Sequence, residues 1–415
     1  MKKQIALIII ILISIQLMAE FQFFQNPAEL AQNEEVEISI PVFNMGFNVK
    51  NSLFNFNTVD IFDTSKYQNG ELMSDKDKDI FTSGDLNMDM NFDMELFGLK
   101  YNNWKFSTSL INFADLHLLD KQFSEIIFYG NELDKIYKTD AGGGSYGYAF
   151  VRNRIEFGIP KKFTLGMIHP SVDSYLQKSK WGVVINAMPI HFGTNLNFDY
   201  SLAMAKVISR KQRFGSLSDY SFYDYQIEAK YTDFDSNGKF NLSYGLATEI
   251  DVLENCSVHF ILDDLFAKLS FKDLAGVNYQ ATFIDSLDYM NEDYEAFDES
   301  TENDSIRYSS SEIDIKPGIV FGVEYYPIEK LQLQIKIDNR KYSINRGFSF
   351  AVGYKIARYL PIKLILGTNN DSFKSEIQTG LNFAHYDFDL AFSNSGGLFN
   401  SAKGIGFRTG MKIKF

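Results

Sequence analysis

Gly404-Ile405-Gly406-Phe407-Arg408-Thr409-Gly410-Met411-Lys412-Ile413-Lys414-Phe415 ends the chain, and its alternation decides the fold class. Ile405, Phe407, Thr409, Met411, Ile413 and Phe415 fall on one parity, and Gly404, Gly406, Arg408, Gly410, Lys412 and Lys414 on the other. Successive side chains of a strand point to opposite faces, so this is a strand with one apolar face and one polar or small one. The period recurs upstream. Leu331, Leu333, Ile335 and Ile337 oppose Gln332, Gln334, Lys336 and Asp338; Phe388, Leu390 and Phe392 oppose Asp387 and Asp389. Phe240, Leu242, Tyr244 and Leu246 likewise oppose Lys239, Asn241, Ser243 and Gly245. At 36–49 the apolar phase slips between Val42 and Phe43, which predicts a bulge.

Alternation also suits a soluble antiparallel sandwich whose apolar face turns into a protein core. Three features favour a membrane barrel. The alternating segments often run to about 10–14 residues, nearer to transmembrane strands than to the short strands of globular proteins. Tight turns at Asn102-Asn103, Pro160-Lys161-Lys162, 327–330, 358–361 and 384–386 contrast with long polar loops at 53–91, 118–143 and 285–311. Short turns at one end and long loops at the other are how outer-membrane barrels are connected. Finally, Gly410, Met411, Ile413 and Phe415 give the last strand an ending that resembles the C-terminal signal read by the barrel-assembly machinery, with Ile413 in place of the usual aromatic. The 39 Phe and 23 Tyr against 8 Pro suit pleated surfaces whose ladder donors are intact.

The N-terminus reads as an export signal. Lys2 and Lys3 precede an apolar run from Ile5 to Ile15, and Leu17 and Ala19 offer a cleavage site before Glu20, which makes 1–19 a signal peptide. The run falls short of the roughly 20 residues a spanning helix needs, which argues against an uncleaved anchor. No later stretch reaches that length, so re-entry into a membrane requires a closed barrel. Losing Lys2 and Lys3 takes the formal charge from −13 to −15, which argues against nucleic-acid binding. The single cysteine, Cys256, excludes an intrachain disulfide and multi-cysteine metal sites.

Eighteen alternating segments can be marked between residues 36 and 415, including 163–176 and 180–188; the middle of the chain allows a smaller number, down to 14. An even number returns both ends to the periplasm. The reading is an all-β, transmembrane, antiparallel up-and-down barrel of 14–18 strands at 36–415, in the outer membrane of a Gram-negative-type bacterium. Residues 20–35 form a short N-terminal segment before it.

That segment contains Asn26-Pro27-Ala28-Glu29. Asn caps a helix, Pro suits its first position, and Glu29 stands where a capping box has its second half. The Asn26-Pro27-Ala28 opening is similar to that of the long-chain fatty-acid transporter (FadL/TodX) family and of the related PorV-like barrels of Bacteroidota. The units Gly322-Val323-Glu324-Tyr325 with Leu331-Gln332-Leu333, and Gly353-Tyr354-Lys355 with Ile362-Lys363-Leu364, look similar too. Phe271-Lys272-Asp273-Leu274 followed by Tyr279 resembles uncharacterised barrels of the same broad group. The resemblance covers about a third of the chain. It implies an N-terminal plug inside the barrel, with Asn26, Pro27 and Ala28 at the gate, and carries over no ligand-binding residue.

Catalytic patterns lack their context. Gly143-Gly144-Ser145-Tyr146-Gly147 fits the nucleophile-elbow spacing, and Gly142 to Gly147 the dinucleotide spacing, but both need a preceding strand and a following helix. Here a strand follows, so the expectation is no enzyme. Asp75-Lys76-Asp77-Lys78-Asp79 lacks the Gly and Glu of a calcium loop. The acidic run 285–307 reads as a solvated outer loop, with a cation-attracting mouth as the alternative. His117, His169, His191, His259 and His385 have no ligand spacing, so neither metal nor cofactor is expected. On the inward parity Lys336, Lys412 and Lys414 are candidates to line the lumen and to pair with Glu29, Glu34 and Glu35. The expected partners are outer-membrane lipid, the assembly machinery, and either a small hydrophobic ligand for a transporter-like barrel or a secreted protein for a secretion-accessory barrel.

Overall fold

The computed structural model describes residues 26–32, 36–41, 43–55, 57–58, 73–139, 144–168, 170–178, 180–217, 220–286, 298–343, 346–357, 359–369, 372–383 and 385–415. Residues 1–19, expected to be an export signal, lie outside them, as do Glu34 and Glu35. Among the described residues, twenty strand segments form one antiparallel sheet, and nineteen of them make up a closed barrel of fourteen staves. They are β1 (Glu37–Ser39 and Met45–Asn51), β2 (Leu86–Tyr101), β3 (Trp104–Leu119), β4 (Tyr146–Gly158) and β5 (Ile190–Ser216). Then come β6 (Tyr220–Tyr231, Asn237–Gly238 and Phe240–Leu253), β7 (Cys256–Leu265 and Lys268–Ser286) and β8 (Asp298–Asp314 and Gly318–Ile328). The wall is completed by β9 (Leu331–Asp338), β10 (Gly347–Ala357), β11 (Leu360–Asn369), β12 (Ser372–Phe383), β13 (Tyr386–Ser395) and β14 (Gly404–Lys414). β14 pairs with both β13 and β1, which closes the barrel and leaves no edge in lipid.

Burial follows the expected parity. In β9, Gln332, Gln334, Lys336 and Asp338 are buried while Ile335 and Ile337 are exposed. Exposed apolar side chains recur round the wall, among them Ile155, Phe198, Leu246, Phe321, Leu364 and Phe392. A soluble protein does not carry so wide an apolar belt; a bilayer covers it. At the short-turn end Tyr101, Trp104, Phe157, Tyr354, Tyr386 and Phe415 are exposed, an aromatic girdle at headgroup height.

Several expectations need correction. Residues 163–176 and 180–188 are not strands: α-helices Leu165–Ile168, Pro170–Leu176 and Lys180–Ala187 occupy them, on the short-turn side between β4 and β5. Pro160-Lys161-Lys162 accordingly opens this helical connection instead of a tight turn. A short apolar run such as Trp181-Gly182-Val183-Val184 has no period long enough to separate helix from strand. Segments 221–234 and 239–251 are one stave, as are 256–264 and 268–284, which brings eighteen to fourteen. Half of the acidic outer loop is strand, with Asp298 to Asp314 paired to Ile284 to Lys268. The slip in β1 is larger than one residue, since six steps from Ser39 to Met45 face three from Lys412 to Thr409.

Staves β5 to β8 rise well beyond the rest, and Lys135–Thr139 pairs with the tip of β5. Between the two halves of β7, Asp264 (φ 58°) and Phe266 (φ 61°) take left-handed conformations that bulky residues seldom adopt. Beyond this bend the side chains of Ala267, Leu269, Phe271 and Leu274 are buried in the main apolar core, against Phe113 of β3 and Phe150 of β4.

Candidate functional site

The inner face of β5 orders the interior into layers. Lowest, at the short-turn end, lies the N-terminal 3-10 helix Pro27–Gln32, against β4, β5 and β6. Asn26 caps it: Oδ1 accepts from Ala28 N–H at 3.0 Å, while Nδ2 donates to Thr248 O at 3.2 Å. Ala28 is fully buried beside Ala247, Ile261 and Val320. Gly193 of β5 lies under the backbone of Pro27 and Ala28, where a Cβ would collide. The side chain of Glu29 turns to the wall, 3.5 Å from His259 Nδ1.

Above the helix lies a buried charged layer. Arg152 of β4 donates from Nε and Nη2 to the two carboxylate oxygens of Asp199 on β5, at 2.7 and 2.8 Å, and its Nη2 lies 2.7 Å from Asp264 Oδ1 of β7. Its Nη1 also donates to the Tyr342 hydroxyl, which donates on to Asp264. Burial pushes the Tyr342 phenol well above its usual range, so it stays a neutral donor. Arg154 pairs with Asp263 at 2.9 Å and Glu156 at 3.0 Å, and Arg340 with Asp338 at 2.8 Å. Buried ions need such compensation, since the cost of drying each is several kcal/mol.

The third layer is apolar: Ile111, Phe113, Tyr148, Phe150, Met204, Leu269, Phe271 and Leu274, with Tyr342 edge-on to Phe150. Near the long-loop end two hollows remain. One of about 60 Å³ is polar, bordered by Asp89, Asp115, Lys341 and Arg346. The other, about 240 Å³, is lined by Leu118, Val207, Tyr225 and Ile227 together with His117, Ser145 and Arg210, and the register puts Val207, Arg210, Tyr225 and Ile227 on the outward face of β5 and β6, opposite the apolar layer.

Ser145 and His117 thus meet, but not as nucleophile and base. Ser145 Oγ accepts from the His117 backbone N–H at 2.9 Å and donates to its carbonyl at 3.2 Å. The His117 ring faces Asp120 Oδ1 at 2.7 Å through Nε2 and Asn87 Oδ1 at 2.5 Å through Nδ1, so neither nitrogen is aimed at the serine. A strand follows Ser145, and the elbow geometry is absent. The run at Asp75 is a helix, Asp75–Thr82, capped by Ser74.

Of the lysines read from the sequence, Lys336 lies 3.3 Å from Asp338, Lys412 3.5 Å from Glu37, and Lys414 2.6 Å from Asp387. The expected pairing with Glu29 is replaced by wall-to-wall pairs, because each lysine has a carboxylate on its own or an adjoining stave. Gly410 faces Asn44 and Asp389, Met411 N–H donates to Asn44 Oδ1 at 2.6 Å, Ile413 pairs with Ile38 and Tyr386, and the exposed Phe415 donates its N–H to Val36 O at 2.9 Å. The charged layer went unread. Its signal was available in Arg152, Arg154 and Glu156 on the inward parity of a spanning strand, where ionisable groups are costly. His259, which has no ligand spacing in the sequence, is brought to Glu249 by the ladder and to Glu29 by the seating of the 3-10 helix.

No protein-family model and no curated protein matches the sequence. Among solved structures, the Pseudomonas putida toluene transporter TodX is similar at 9% identity, over 95% of this chain and 92% of that one, with a TM-score of 0.44. The Ralstonia pickettii toluene transporter TbuX is similar at 8% identity, over 94% and 92%, with a TM-score of 0.43. A Pseudomonas aeruginosa FadL homologue is similar at 10% identity, over 95% and 93%, also with a TM-score of 0.43. Each of these likenesses runs along almost the whole length of both chains.

Proposed function

We propose that this barrel admits small apolar molecules through the outer membrane, with the N-terminal helix as its gate. The observation that carries the reading is the apolar layer. A general porin keeps a wet, polar lumen, whereas here Phe113, Tyr148, Phe150, Leu269, Phe271 and Leu274 fill the upper interior. Such a layer excludes hydrated ions and sugars and favours solutes that gain from leaving water. In the proposal Asn26, Pro27 and Ala28 restrict flow below, and Lys336, Lys412 and Lys414 hold the lumen wall by ion pairs. The test is uptake of a labelled monoaromatic hydrocarbon and of a sugar of similar size by cells expressing the barrel. Hydrocarbon uptake rising with expression while the sugar stays unchanged supports the reading; a rise in sugar alone refutes it.

The rival reading, a secretion-accessory barrel that binds a protein, has one observation of its own. The outer half of β8, Asp298–Asp314, pairs with β7 on one side, and its other edge joins no ladder among the described residues. An open edge can accept a partner strand. Capture of a secreted protein that is lost on deleting 287–309, with hydrocarbon uptake unaltered, would favour it.

A further inference from the structure

We propose that Glu29, Glu249 and His259 bind one divalent transition-metal ion, zinc above all, which fastens the N-terminal helix to the barrel wall. Glu249 of β6 and His259 of β7 are ladder partners, and Glu29 reaches them from the 3-10 helix. One ligand atom of each lies within 4.8 Å of the other two, and Glu29 Oε1 is already 3.5 Å from His259 Nδ1. Zinc takes carboxylate and imidazole ligands at about 2.0–2.2 Å, which puts tetrahedral ligand atoms roughly 3.3–3.5 Å apart. Small side-chain rotations close the set.

The neighbours fix the imidazole in the state a metal needs. Asn26 is oriented by two bonds, Oδ1 from Ala28 N–H and Nδ2 to Thr248 O, so its amide N–H₂ also faces His259 Nδ1, at 3.2 Å. A donor at that nitrogen means Nδ1 carries a lone pair. The proton therefore sits on Nε2, which donates to Ser257 Oγ at 2.9 Å. A neutral ring with its second nitrogen anchored is how ligating histidines are held. Binding at Nδ1 replaces the Asn26 amide there and leaves Asn26 its other two bonds. The ion also offsets the repulsion of two carboxylates brought together. Three protein ligands leave a fourth position for water, and Glu29, with 32% of its side chain exposed, leaves a way in.

The site stands without the transport reading; only its effect on flow rests on it. The test titrates zinc into the purified, folded, chelator-treated barrel by calorimetry, with cobalt as the spectroscopic probe. One ion per barrel, intense visible absorption from tetrahedral cobalt, and at least tenfold weaker binding in both Glu29→Gln and His259→Asn support the site. Glu125→Gln, an exposed helix residue, should bind as the parent does. Glu29 lies outside the ladder, so Glu29→Gln leaves barrel closure intact, and heat-modifiable gel migration verifies that. Absence of binding by the parent, or unaltered affinity in both variants, overturns the proposal. One bound ion with conductance unaltered by zinc would leave the metal site standing and refute gating by the helix.

Discussion

Gly193→Ala isolates the seat of the N-terminal helix from the barrel that holds it. Gly193 pairs with Gly158 and Ala247 in the wall, and alanine suits its extended backbone, so the ladder should be unaffected. A Cβ there meets the carbonyl carbon of Pro27 and the nitrogen of Ala28, backbone atoms that cannot swing aside as a side-chain tip would. Overpacking of this sort costs about 1–3 kcal/mol, which shifts the balance between seated and released helix about 5- to 150-fold. Against it stand the Asn26 bonds to Thr248 O and His259 Nδ1, each worth about 1 kcal/mol net, and the burial of Ala28. The opposing terms are of similar size, so the helix should leave its seat for a measurable fraction of the time without being lost.

The assay is single-channel conductance in planar bilayers, with heat-modifiable migration as the check on closure and lipid-facing Leu196→Ala as the control. Gly193→Ala should raise the open fraction, and Leu196→Ala should not. Deleting 20–31 should raise it further. Adding Gly193→Ala to that deletion should then change nothing, because the new methyl has lost its collision partner. Parental behaviour from Gly193→Ala, or an effect that adds to the deletion, refutes the seat.

Three further outcomes are expected. Arg152→Ala strands Asp199 and Asp264 in the interior and should lower stability by about 3–5 kcal/mol, read from urea unfolding in detergent; Arg152→Met with Asp199→Leu should recover part of the loss. Deleting Phe415 should reduce the amount of inserted protein before any change in uptake, measured by outer-membrane fractionation, and normal insertion would make the terminal aromatic incidental. N-terminal sequencing of the mature protein should begin after residue 19, and recovery of that protein from the soluble periplasm would contradict the barrel.

The parts legible in the sequence share one cause: a wall with lipid on one side and protein on the other imposes a two-residue period that survives in the letters. Ile335 and Ile337 against Gln334 and Lys336 can be read by eye, and the structure buries one pair and exposes the other. The outer half of β8 broke the rule because its tip is exposed on both faces. Ser300 to Asp304 alternates nothing, although it pairs in register with Thr282 to Asn278. Helix Lys180–Ala187 was misread for the opposite reason: Val183, Val184 and Ile185 have strand propensity, and propensity yields to context. The interior was illegible because its pairs join distant staves. Arg152, Asp199, Asp264 and Tyr342 come from four elements, and only closure of the barrel brings them together.

That closure also ranks what can move. The ion pairs of Arg152, Arg154 and Arg340 are buried, and each broken partner leaves a bare charge in the interior, so the middle layer is the stiffest part of the lumen. The apolar layer above yields more easily, since a small apolar solute replaces side-chain contacts with contacts of the same kind. The 3-10 helix is held by a few hydrogen bonds, the contact of Glu29 with His259 and the burial of Pro27, Ala28 and Leu30, with no ladder pairing of its own. At similar depth the price of moving it is the lowest of the three. A barrel that must open without unfolding is therefore expected to open there, and a metal ion at Glu29 and His259 would act on the one layer whose balance a few kcal/mol can tip.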